Sequence, residues 1–174
     1  MSVHSGCMKT ILLMRHAKAE RGEAAQRDFD RELAARGRDD AATMGRALLK
    51  MTLVPDAIVS SPAARAKQTA EAAARAMKCG VAIRWDASLY DASGSAWIEA
   101  LRALPAKAES ALVVAHAPGI GEAAALLCDA ASGSFDVPTA GLLAFEASIE
   151  RWRDLGAGEA SLLWFLRPKV VDKL

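Results

Sequence analysis

Four short apolar runs punctuate this chain, and three of them stop abruptly at residues able to do chemistry. Residues 9–14 run into Arg15-His16, residues 57–60 into Ser61-Pro62, and residues 111–115 into His116-Ala117-Pro118-Gly119; the remaining run, third in chain order, is 81–85. Runs this short, apolar without alternation, suit strands buried on both faces, as in a parallel sheet. The segments between them read as helices. In 38–51, Ala41, Met44, Ala47 and Leu48 recur at helical spacing, with Asp39 and Asp40 in the first turn. Ser61-Pro62 reads as an N-cap followed by proline at the first helical position, opening an alanine-rich helix to about Met77 that Gly80 stops. Residues 95–104 and 120–127 are helical by period. Residues 18–36 read as a polar loop with a turn of helix and 132–138 as a second loop; 141–147 and 159–166 are further candidate strands. Strands alternating with helices predict right-handed βαβ units and a three-layer α/β/α sandwich around a mostly parallel central sheet.

With 174 residues, 52% of them hydrophobic and 25% charged, the chain suits one globular core. A single domain over 9–169 is expected. Residues 1–8 read as a leader, with either Met1 or Met8 as the start, and 170–174 resemble a vector-derived tail. The net charge of +1 argues for neither nucleic acid nor an anionic membrane as partner, so any bound anion must be held by a local cluster of basic groups. Cys7, Cys79 and Cys128 are odd in number and widely spaced, which excludes a disulfide framework and a thiolate zinc site, and fits reduced thiols in the cytoplasm. No apolar stretch reaches the roughly 18 residues of a membrane span, and the first residues lack the apolar region of a signal peptide.

In open α/β sheets, ligands bind beyond the carboxyl ends of the strands. There the sequence gathers Arg15 and His16 after the first strand, Ser60 and Ser61 after the second with Arg65 one turn into the next helix, and His116 after the fourth. Each alone has an ordinary explanation, as an exposed strand end or a helix-surface cation; their coincidence at matching ends of three strands favours a phosphate site. Arginine's planar fork matches two phosphate oxygens and stays charged. Backbone N–H groups at the helix start add partial positive charge. A histidine that attacks phosphorus must be neutral, and two nearby arginines favour that form.

These residues resemble the signatures of the histidine phosphatase superfamily. Met14-Arg15-His16-Ala17-Lys18 is similar to its R-H-G or R-H-A signature, Ser60-Ser61-Pro62-Ala63-Ala64-Arg65-Ala66-Lys67-Gln68-Thr69-Ala70 to its S-S-P/D-x-x-R-x-x-Q-T-A helix start, and Val113-Val114-Ala115-His116-Ala117-Pro118-Gly119 to its second histidine segment. The order is the family's, from Thr10 to about Arg167. The short length and residues 28–37 resemble the small SixA-like branch, the phosphohistidine phosphatases. Glu32 and Ala34 depart from that branch's Pro and Thr, and Ala117 stands where Asn is usual, which removes an amide donor beside the pocket.

The resemblance implies a phosphoglycerate mutase-like fold, a phosphatase needing no cofactor or metal, a transiently phosphorylated His16, and a phosphoryl grip formed by Arg15, Arg65 and His116. Attack by His16 followed by hydrolysis is ordinary nucleophilic catalysis. By order along the chain, Asp91 is the candidate general acid, a turn aspartate being its simpler reading. Absence of a clear acid favours phosphorus–nitrogen bonds, because imidazole leaves more readily than an alkoxide. The substrate is then a phosphorylated protein or a small-molecule phosphate: phosphohistidine first, and a phosphomonoester metabolite as the alternative. A mutase is disfavoured by the short chain, and a non-catalytic phosphate or phosphopeptide binder by the presence of a full nucleophilic set.

Overall fold

The computed structural model describes residues 8–173, so the first seven residues of the expected leader lie outside it. Six strands form one sheet: β1 (Lys9–Arg15), β2 (Ala57–Ser60), β3 (Ile83–Trp85), β4 (Ser110–Ala115), β5 (Leu142–Ala147) and β6 (Ala160–Leu166). Their order across the sheet is β3-β2-β4-β1-β5-β6. β1 to β4 pair in parallel, and β5 and β6 add an antiparallel edge.

Helices cover both faces. α1 (Ala35–Lys50) and α2 (Ala64–Ala76) pack against each other on one face, and α3 (Gly94–Arg102) and α4 (Gly119–Leu127) on the other. The alternation along β1 accounts for this. Leu12 and Met14 join Met44, Leu48 and Ala73 in one core layer, whereas Ile11 and Leu13 join Trp97, Leu101 and Ile120 in the other. No helix among the described residues is long and apolar enough to cross a membrane.

The layout follows the expected three-layer sandwich, with three local differences, the first being that α1 begins at Ala35, three residues before the expected 38 and inside the expected loop. α2 begins at Ala64, two residues later than Ser61-Pro62 suggested, and Ala63 at its N-cap makes no side-chain cap hydrogen bond. Ser61 is engaged elsewhere: its hydroxyl pairs with a ring nitrogen of His116 at 2.9 Å, and Ala63 N–H reaches it only at 3.4 Å. β3 is three residues rather than five, because it is a short edge strand paired only with β2. After β6, α5 (Pro168–Val171) turns back towards α1, and Val171 packs against the α1–α2 layer.

The topology makes a crevice. β1 and β2 lead into helices on one face and β4 into a helix on the other, yet β4 lies between β1 and β2. Pairing of Arg15 with Ala115 and of Ser60 with Val114 brings the carboxyl ends of these three strands level. Chain paths that diverge at neighbouring strand ends leave a cleft, the usual ligand position in open α/β sheets.

Candidate active site

His16 stands at this crevice one residue beyond β1. Its backbone is fixed on both sides, its N–H donating to Ala115 O at 2.9 Å and its carbonyl accepting from Ala140 N–H at 3.2 Å. The ring is fixed too. Nδ1 lies 2.8 Å from Ala17 O, and a carbonyl can only accept, so Nδ1 carries the proton. Nε2 is left with its lone pair, and Arg65 Nε–H points at it from 3.4 Å. Burial, reinforced by Arg65, Arg15 and Arg31, pushes the His16 pKa down from 6.5 to about 4. The ring is therefore neutral at ordinary pH, by burial first and by the neighbouring arginines second.

Arg65 sits in the first turn of α2, 7% exposed. Its fork is held from behind by one residue of the loop before α1: Nη1 donates to Asp28 O at 2.6 Å and Nη2 to Asp28 Oδ2 at 2.8 Å. Arg31 Nη1 and Tyr90 OH donate to the same carboxylate, at 2.9 and 3.1 Å. Burial works against ionisation of Asp28, but hydrogen bonds from Arg31, Arg65 and Tyr90 outweigh it and hold the pKa at about 2. Thr69 ties the helix to the strand end, accepting from Ala17 N–H at 2.9 Å and donating to Arg65 O at 2.7 Å.

His116 follows β4, 7% exposed, its ring centroid 5.1 Å from that of His16. Burial, then His16 and Arg65, lower its pKa to about 3. Nε2 pairs with Ser61 Oγ, whereas Nδ1 is buried without a protein partner. Arg15 is in a similar state: Nη1 donates to Val137 O at 2.8 Å, and the buried Nε has no protein partner. Burial lowers the Arg15 pKa, with Asp136 opposing. Arg15 Nε is always a donor, and His116 Nδ1 is one in the tautomer in which Ser61 Oγ–H donates to Nε2. A buried donor left unmatched costs about 1–3 kcal/mol, and in that tautomer the two suit an oxygen-rich anion.

The four expected residues, Arg15, His16, Arg65 and His116, thus meet in one place. Asp91 does not join them in any hydrogen bond or ion pair among the described residues; it is exposed in a turn with φ of 51°. Its neighbour Tyr90 is the residue against the site, edge-on to His116 at 5.6 Å and to Phe29 at 5.0 Å. Asp28 and Tyr90 were missed as site residues. Asp28 opens the stretch 28–37 already singled out, and Tyr90 is the chain's only tyrosine, so both carried a signal. No group of three or more His, Cys, Asp or Glu arranged to hold a metal occurs among the described residues.

The family model described as the histidine phosphatase superfamily, branch 1, matches residues 11–103, more than half of the chain and the part that carries Arg15, His16 and Arg65. The chain belongs to this superfamily. No curated protein matches it in sequence. Among solved structures, a protein of Nakamurella multipartitia provisionally named phosphohistidine phosphatase SixA is 30% identical, with a TM-score of 0.78 over 92% of this chain and 96% of that one. Its Agrobacterium tumefaciens counterpart, provisionally named likewise, is 27% identical, with a TM-score of 0.78 over 92% and 98%. The protein histidine phosphatase SixA complexed with tungstate shares the fold, with a TM-score of 0.80 at 22% identity over 93% and 99%. The fold is therefore the phosphoglycerate mutase-like fold of SixA. Within the superfamily the chain is a SixA-like phosphatase, an enzyme for phosphate-bearing substrates.

Proposed function

We propose that this phosphatase hydrolyses phosphohistidine, passing the phosphoryl group through His16. The observation that carries the reading is the orientation of that ring: Nδ1–H spent on Ala17 O, and the Nε2 lone pair beside the Arg65 guanidinium. An imidazole that is neutral down to a pKa of about 4 is a competent nucleophile at neutral pH.

In the first step the Nε2 lone pair forms a bond to phosphorus as the substrate's nitrogen–phosphorus bond breaks. That electron pair returns to the leaving ring, which departs as neutral imidazole when its other nitrogen is protonated. In the second step water attacks phosphorus, the His16 nitrogen–phosphorus bond breaks, and inorganic phosphate takes the proton. Arg65 Nε, Arg15 Nε and His116 Nδ1 supply donors to the equatorial oxygens, where charge accumulates; such electrostatic positioning carries most of the rate gain. The leaving group decides between substrate classes. An alkoxide needs a proton from the enzyme, and Asp28, the carboxylate whose charge acts on His116, is ionised down to about pH 2 and locked to two arginines. Imidazole needs no such donor.

The test is turnover of phosphoramidate, a phosphohistidine peptide and p-nitrophenyl phosphate by wild type and His16→Ala, with EDTA present. Wild type is expected to favour the two phosphorus–nitrogen substrates, and His16→Ala to lose roughly a thousandfold or more in kcat/KM. Preference for the ester would replace this reading with a metabolite phosphomonoesterase. Phosphate binding without turnover would leave only a binding protein.

A further inference from the structure

Beside the catalytic cleft lies a groove of about 350 Å³ whose charge is unlike that of the molecule around it. Four of its lining side chains are cationic (Lys18, Arg36, Arg167 and Lys169), against the single carboxylate of Asp40. The whole chain carries only +1, and although Asp39 and Asp172 also act on Asp40, the lining itself has four cations to one acid. The one acid is already engaged, loosely, by Arg36 at 3.8 Å. Lys18, Arg167 and Lys169 have no carboxylate within ion-pair distance among the described residues. The Arg167 guanidinium rests over the Phe165 ring at 5.1 Å, an arrangement that leaves its N–H fork open to a carboxylate.

The groove adjoins the machinery along the chain on two of its walls. Lys18 comes two residues after His16 on the same outgoing chain. The other wall includes Pro138 and Thr139, the two residues between Val137, whose carbonyl receives Arg15 Nη1, and Ala140, whose N–H fixes the His16 carbonyl. A chain whose phosphorylated side chain enters the cleft would lay its flanking residues along these walls.

We infer that this groove is a docking subsite for an acidic segment of the phosphorylated protein, adjacent in that substrate to its phosphohistidine. The inference rests on the function proposed above. Interleaved lysines and arginines attract carboxylates, steer encounter and fix which way the partner lies, while the phosphoryl chemistry stays with the cleft. A small phosphate gains nothing from the groove because it does not reach beyond the cleft.

The experiment compares wild type with the double variant Arg167→Glu/Lys169→Glu, whose changes fall on exposed positions outside the catalytic set. The substrates are two phosphohistidine peptides, one flanked by Asp and Glu and the other by Ser and Gly, together with phosphoramidate. Wild type should favour the acidic peptide by about tenfold in kcat/KM, through KM, and the advantage should shrink as salt shortens the screening length. The double variant should lose the advantage and turn over phosphoramidate as wild type does. Equal handling of the two peptides at low salt, or an advantage that survives in the double variant, would overturn the subsite. Binding of the unphosphorylated acidic peptide, measured by fluorescence anisotropy, keeps this separate from the chemistry. If no phosphorus–nitrogen substrate turns over, the functional proposal falls, and the groove is still judged by loss of that binding in the double variant. Tighter binding of single-stranded DNA or of phosphatidylserine vesicles than of the peptide would also overturn it.

Discussion

At the scale of single residues, the site depends on groups that hold other groups still. Asp28 touches no substrate atom in the proposed reaction, yet it sets the direction of Arg65, receiving both of its terminal nitrogens. Hydrogen bonds involving a charged group contribute about 1.5–3 kcal/mol, so Asp28→Ala should lower kcat on phosphoramidate by about 10- to 100-fold, with Asp28→Asn in between. Because the change also removes an anion beside the cleft, the inhibition constant for inorganic phosphate should hold or tighten. That split separates mispositioning from lost binding, and an unchanged kcat would refute the role. The histidines make a second prediction. Their pKa values fall from 6.5 to about 4 in His16 and about 3 in His116, so below pH 6.5 the unfolded chain takes up protons that the folded chain refuses. Their neutrality costs nothing above that pH, and stability is lost progressively as pH falls towards 4. At pH 5 the loss is of the order of 1–2 kcal/mol for each imidazole. Urea unfolding at pH 7.5 and pH 5 should show His16→Gln losing less stability on acidification than wild type does, by about that amount. An equal loss in the two proteins would mean that the His16 ring is protonated in the fold.

Secondary structure was legible wherever the apolar period was strong, and misread where tertiary contacts recruited a residue. β1, β2 and β4 lie within a residue of their apolar runs because burial on both faces leaves no polar position to blur the ends. The start of α2 shifted because Ser61, a good local cap by type, instead serves His116 across the sheet, a long-range contact that no local pattern carries. The loop before α1 hid the most. Residues 18–36 show no period, and before α1 takes over at Ala35 their only helical turn is the short 3-10 helix Asp28–Asp30, which delivers Asp28 to Arg65. Its path is fixed by backbone proximity: Ala34 N–H donates to Lys18 O at 2.9 Å, and a Cβ on Gly37 would sit 2.1 Å from that same oxygen. The glycine at position 37 is thus explained by a close approach visible only in the folded chain. Arg15, His16, Arg65 and His116 were legible because strand ends collect ligand-binding residues by topology. Asp28 and Tyr90 were not, because each acts through a partner that is distant in sequence.

For the molecule as a whole, the decisive property is that the central strands β1, β2 and β4 are buried on both faces, so the strand ends that carry the histidines are packed from both sides. Leu12 and Leu13 expose this most simply. They are consecutive, both are wholly buried, and they belong to different layers, Leu12 facing α1 and α2 and Leu13 facing α3 and α4. In a sheet with one wet face, truncating one of two neighbouring strand residues would be nearly free. Here each of Leu12→Ala and Leu13→Ala should cost about 2–5 kcal/mol, the lost transfer energy plus a cavity. The two cavities would open on opposite sides of β1 and share no wall, so the double variant should approach the sum of the singles. A single cooperative transition with an unchanged denaturant slope is expected in all three, because the layers share one sheet and melt together. Urea unfolding decides the matter. A cost below about 1 kcal/mol at either position would mean that its layer is not packed, and that the carboxyl end of β1, with Arg15 and His16 on it, is held from one side only.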